Sequence, residues 1–214
     1  MSGIPLDFLL SQVSSSALSK IIVGGLGPGI ADLVSEAVLE LAKTHPTFLR
    51  TREHPCVDMF DALDSFDHLY ESERYVVDVY EAIVEQLVRE SRERGTIGYL
   101  VPGSPLIAER TVELLRQRKD VNVEILPGVS FLDLAWERLG VDPIARRVTI
   151  VDGQRFETEA AGLSGPLLVA QCDNRFVLSD IKLSIDVEEL PKVTVLQRLG
   201  LEDEAVFEVE GENL

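Results

Sequence analysis

The 214-residue sequence predicts a two-domain α/β protein: an N-terminal parallel α/β sheet, then a C-terminal α+β domain with a mixed sheet. Three observations carry this. Strand and helix patterns alternate from Lys20 onward, as in a parallel sheet covered by helices. Three Gly/Pro-rich turns, at 24–29, 102–105 and 127–130, each follow an apolar strand run. After Gly140 strand runs dominate and one clear helix remains. The boundary falls within 125–145, giving domains 1–128 and 129–214.

Residues 1–19, with Ser14, Ser15 and Ser16, read as an arm or terminal helix outside the main fold. Ile21, Ile22 and Val23 form a short buried strand. Leu33, Val34, Ala37, Val38, Leu41 and Ala42 repeat at helical spacing. Residues 47–50 suit a second strand, and 55–63 a helix with Pro55 in its first turn. Val76, Tyr80, Ile83, Val84, Leu87 and Val88 mark a long amphipathic helix that stops at Gly95. A buried strand at 97–101 leads through the second turn into a helix carrying Ile107, Val112, Leu114 and Leu115. A strand at 121–125 leads through the third turn to a helix at 131–139, with Ser130 placed to cap it. Beyond lie strands at 147–151, 167–171, 193–197 and 205–209, and a helix at about 174–185.

Composition narrows the function classes. Hydrophobic residues make up 45% and charged residues 27%, ordinary for a globular chain, and no apolar run reaches membrane-spanning length. The first residues lack the basic flank and cleavage site of a signal peptide. Cys56 and Cys172 make no disulfide framework, and no Cys/His spacing suits a metal. A cytoplasmic protein without a metal site is expected. Twenty Lys and Arg against 37 Asp and Glu give a net charge of −17. Nucleic-acid binding rests on neutralising phosphates, so such a partner is not expected. The acidity otherwise reads as a solvated surface.

The first turn, Gly24-Gly25-Leu26-Gly27-Pro28-Gly29, resembles a dinucleotide fingerprint at first sight. Ile30 stands where the third glycine belongs, and Pro28 removes an N–H where a pyrophosphate needs donors. A nicotinamide enzyme is therefore disfavoured. All three turns open at the carboxyl edge of a parallel sheet, where open α/β sheets bind ligands. Together they predict a ligand held close to the backbone but not by a phosphate cradle.

The ordered set 25–29, Val101-Pro102-Gly103-Ser104-Pro105-Leu106-Ile107 and Leu126-Pro127-Gly128-Val129-Ser130, with Leu139-Gly140 after it, resembles the tetrapyrrole methylase superfamily. Arg50-Thr51-Arg52-Glu53-His54-Pro55, Ala108-Glu109-Arg110-Thr111 and Ser179-Asp180-x-Lys182-Leu183 are similar to its branch fused to a MazG-type nucleotide pyrophosphohydrolase. The resemblance covers residue 20 to the C-terminus. It implies two α/β domains with S-adenosylmethionine in a cleft between them, and a homodimer. Carried over by motif, Pro28 lines the cofactor. Pro102, Gly103 and Ser104 contact its amino-acid part, and Ile107 packs nearby. Ser130 and Phe131 sit beside the homocysteine or adenosine, Gln171 meets the adenine, and Leu199 or Gly200 closes the pocket. The implied chemistry is methyl transfer to a small-molecule acceptor, for which alignment matters more than a strong base. No catalytic residue is named. Many members have Asp where Ile30 and Ser104 stand here. A second reading is a degenerate cofactor-binding or scaffolding domain, partnering a MazG-type enzyme in cis or trans.

Arg50, Arg52 and His54 are expected either to form a basic mouth for an anionic acceptor or to lie in a solvated loop with Arg52 paired to Glu53. Glu109 and Arg110 read first as an exposed helical pair; the second possibility is that both face the cleft, with Arg110 toward the substrate. Trp136 reads as core or subunit interface, and 173–175 as a helix cap.

Overall fold

A continuous apolar run buries the first strand on both faces of a sheet. In the computed structural model, which describes residues 19–61, 63–72, 75–172, 174–185 and 192–213, β1 (Lys20–Gly25) turns Ile21 and Val23 to one apolar layer and Ile22 to the other. The arm read over residues 1–19 lies, except for Ser19, outside the described residues. Beside β1 run β2 (Thr47–Leu49), β3 (Asp64–Ser65), β4 (Thr96–Val101) and β5 (Asn122–Leu126). The sheet order is β3-β2-β4-β1-β5, and every pairing is parallel.

Helix α1 (Glu36–Thr44) covers one face through Val38 and Leu41, packed with Ile22, Leu26, Leu49 and Leu100. Helix α2 (Asp67–Ser72) follows β3. The other face carries α3 (Val76–Arg94) and α4 (Arg110–Gln117), whose Ile83, Leu87, Val112 and Leu115 are fully buried against Ile97 and Tyr99. Each such side chain contributes about 1.5–3 kcal/mol of burial. The long helix α3 ends at Gly95, with φ +84.

Gly24 and Gly25 are not turn residues; they end β1, paired with Leu100 and Val101. The helix expected over 55–63 is a 3-10 helix at Pro55–Met59, because Phe60 returns to extended backbone. Strand β3 and helix α2 were not expected, since two polar residues give no periodic signal.

The chain divides into two compact units, the first ending at Val129 and the second beginning at Ser130. The second unit starts with α5 (Phe131–Leu139). Ser130 closes a capping box with Asp133, and Gly140, in the left-handed region, ends the helix. A single turn, α6 (Pro143–Arg146), leads to β6 (Thr149–Asp152). That strand starts later than expected because Arg147, at φ +54, caps α6. Next come α7 (Phe156–Glu159), β7 (Leu167–Ala170), α8 (Arg175–Ser184), β8 (Lys192–Gln197) and β9 (Ala205–Glu210). Asn174 caps α8 through the Phe176 and Val177 N–H groups. Strands β6 and β7 pair in parallel, β8 and β9 antiparallel. Val151, Phe156 and Ile181 form this unit's small core.

Candidate functional site

Strands β1 and β4 are neighbours, yet their onward connections leave in opposite directions, to β2 and to β5. That makes their carboxyl ends a topological switch point, where a crevice opens in sheets of this kind. The three glycine turns meet there. Gly27 and Gly103 exchange two backbone hydrogen bonds: Gly27 N–H donates at 3.2 Å and Gly103 N–H at 2.8 Å. Gly25 and Gly128 lie against the same peptide. A Cβ on either would stand 2.6 Å from the Gly103 carbonyl oxygen, which no side chain tolerates. Gly103 itself holds φ +64, and a Cβ there would meet nothing within 4 Å. The junction is therefore tight inside and open over Gly103.

His54 locks this junction from the side. Its Nδ1 accepts from Cys56 N–H at 3.3 Å, so Nε2 carries the proton and donates to the Gly27 carbonyl at 3.0 Å. Burial pushes the His54 pKa down, against the favourable Gly27 contact. It acts here as a neutral clamp.

The other half of the carboxyl edge is polar. Arg50, just past β2, donates from Nη1 to Glu109 Oε2 at 2.7 Å and from Nε to the Tyr70 hydroxyl at 3.1 Å. Its guanidinium lies 5.5 Å from the Tyr80 ring centre. Burial opposes the charge on Arg50, but Glu109 and Tyr70 outweigh it and hold the pKa above the usual range. Glu109, whose side chain is only 2% exposed, also caps α4 by accepting from the Thr111 N–H and hydroxyl. The Thr111 oxygen in turn accepts from the fully buried Tyr99 hydroxyl at 3.0 Å. Burial, with the Glu109 charge, drives the Tyr99 pKa well up. Arg50, Thr51, Glu53, Asp67 and Tyr70 line an open recess of about 420 Å³. Burial works against ionised Asp67, but hydrogen bonds from Thr51, Ser65 and the Arg52 N–H hold its pKa below the usual carboxylate value.

The sequence-derived site residues divide between the units. Pro28, Pro102, Gly103, Ser104 and Ile107 gather at the switch point, with Ile107 N–H donating to the Ser104 carbonyl. In the second unit, the Ser130 hydroxyl accepts from Leu132 N–H, and Phe131 opens α5. Gln171 is exposed just past β7 at φ +58. Gly200 N–H donates to Glu204. Arg52 does not pair with Glu53. Its guanidinium donates to the Leu63 carbonyl, and Asp67 takes its N–H. Arg110 is exposed and paired with Glu113 at 2.6 Å, whereas Glu109 is buried, so the exposed pair read from the sequence does not form.

Sequence reasoning missed the Glu109 network. One signal was available: Tyr99 sits mid-strand in an apolar run, and a buried tyrosine hydroxyl needs a partner. Among the described residues, no group of three or more His, Cys, Asp or Glu is placed to hold a metal. No helix among them is long and apolar enough to cross a membrane.

Comparison with known proteins gives consistent matches. The family model Tetrapyrrole (Corrin/Porphyrin) Methylases matches residues 20–214. The Bacillus subtilis protein YabN is 31% identical over 198 residues, covering 87% of this chain. The chain spans only 40% of that relative's length. Among solved structures, the precorrin-6Y methylase of Archaeoglobus fulgidus superposes with a TM-score of 0.62 at 22% identity, over 91% of each chain. A uroporphyrin-III C-methyltransferase of Thermus thermophilus, complexed with S-adenyl homocysteine, gives 0.61 at 20% identity, over 91% of this chain and 84% of the other.

Proposed function

The chain belongs to the tetrapyrrole (corrin/porphyrin) methylase family, and from that premise we propose that it is a methyltransferase using S-adenosylmethionine. The observation that carries this reading is the open glycine junction at the β1/β4 switch point. Its geometry suits a ligand gripped by the main chain, and the Thermus structure with S-adenyl homocysteine supports the ligand's identity. Pro28, Pro102, Gly103, Ser104 and Ile107 are proposed to hold the cofactor, with Ser130, Phe131, Gln171 and Gly200 as the further contacts that the family motifs imply. The bound cofactor supplies an activated methyl group. The chain's own task is to orient it and the acceptor, and proximity carries most of such a reaction. The recess at Arg50 is proposed to receive a small-molecule acceptor. A homodimer, checked by light scattering, completes the reading.

S-adenosylhomocysteine is expected to raise the melting temperature, because a ligand bound only by the native state stabilises it, by about 2.7 kcal/mol at a hundredfold excess over Kd. Gly103→Arg should abolish that shift yet keep the fold. Its Cβ enters open space, and the left-handed backbone costs about 1–2 kcal/mol. No shift in the wild type would overturn the proposal. A second reading, a scaffolding domain beside a MazG-type pyrophosphohydrolase, draws support from the relative being much longer than this chain. Cofactor binding without methyl transfer to any acceptor would favour it.

A further inference from the structure

Residues 102–109 leave β4 and enter α4 as a strap fastened at two points. At one end Gly103 is bridged to Gly27. At the other Glu109 is pinned by Arg50 and Thr111. Between them Leu106 is 55% exposed, and Ala108 holds φ +53 immediately before the pin. A non-glycine residue stays in that region only where its surroundings over-determine it. A buried ion pair is poor evidence of stabilisation, since apolar replacements of similar volume are often as stable. Yet this pair is fully dressed: Glu109 accepts from Arg50 and from the Thr111 N–H and hydroxyl, and Tyr99 satisfies Thr111. Among the described residues no buried side-chain nitrogen or oxygen lacks a partner. Arg50 is tied down independently, its N–H on the Leu100 carbonyl and its Nε on Tyr70. The network thus links the ends of β2 and β4, α2 and the start of α4 around the strap's base.

We propose that Arg50 and Glu109 are positioning residues, whose ion pair, buried on the Glu109 side, holds Ser104 and Ile107 in the conformation that receives the cofactor. Arg50 then serves the site from beneath rather than by binding an anionic acceptor. This inference rests on the methyltransferase reading for the ligand, but not for the mechanics of the strap.

The test replaces both partners, Arg50→Met with Glu109→Gln, so that no buried charge is left alone. The melting temperature should stay near that of the wild type, while S-adenosylhomocysteine binds at least tenfold more weakly by calorimetry. Amide hydrogen exchange at residues 104–108 should accelerate, with the β1 and β4 amides still protected. Leu115→Ala, in the core of the same helix, should lower stability but leave affinity unchanged. If the double variant does not fold, Arg50→Lys, which keeps the charge but loses the planar fork, should weaken binding at least threefold. Wild-type affinity together with wild-type exchange in a folded variant overturns the proposal. If the wild type does not bind S-adenosylhomocysteine, the methyltransferase reading fails, and the exchange comparison alone decides whether the pair holds the strap.

Discussion

His54 shows how one side chain couples the turn region to pH. Its folded pKa lies below its ordinary value near 6.5, because burial disfavours the imidazolium. Between the folded pKa and about 6.5 the unfolded chain binds the extra proton, so stability rises with pH across that window. The contribution is complete above it and lost as pH falls through it. Protonation also puts a hydrogen on Nδ1 facing the Cys56 N–H. The melting temperature should therefore drop on acidification from about pH 7 to pH 5, and His54→Gln should flatten that drop. Equal slopes for the two proteins would show that His54 does not titrate as described. Asp67 does not interfere, because its lowered pKa places its loss at more acidic pH.

Among the elements, legibility followed periodicity. Strands β1 and β4 and helix α3 show strong apolar patterns and were readable from the sequence; so was Ser130 as a cap. Strand β3 was invisible because Asp64 and Ser65 are polar and meet Phe48 and Leu49 through backbone pairing. The turns at the switch point were readable from their glycines and prolines. Their mutual contact was not, since packing of Gly25 and Gly128 on one peptide is a tertiary fact. Glu109 was misread for the same reason: its partner Arg50 lies 59 residues earlier. Ser130 accepts from the helix, and Asp133 accepts from Ser130 N–H at 2.8 Å. Ser130→Ala and Asp133→Ala should each cost about 1 kcal/mol in urea unfolding. The double variant should cost less than the sum, because the two close one box. Full additivity would mean they act separately.

For the whole molecule the dominant quantity is the charge of −17. Arg50 does little to offset it at the recess, being paired with Glu109 and flanked there by Glu53 and Asp67. A polycarboxylate small molecule approaching the recess should therefore associate faster as salt rises. The screening length shrinks from about 30 Å at 0.01 M to about 10 Å at 0.1 M. Stopped-flow association at the two salt concentrations checks this; a rate that falls with salt would point to a local basic funnel instead.

The bridge between Gly27 and Gly103 has a consequence for descent as well as for binding. A seat made of two peptide groups is indifferent to most side-chain replacements around it. Ile30 follows that seat in sequence without being one of its two bridged glycines. A lineage is thus free to change side chains at such positions, generation by generation, while the main-chain bridge itself is inherited unchanged.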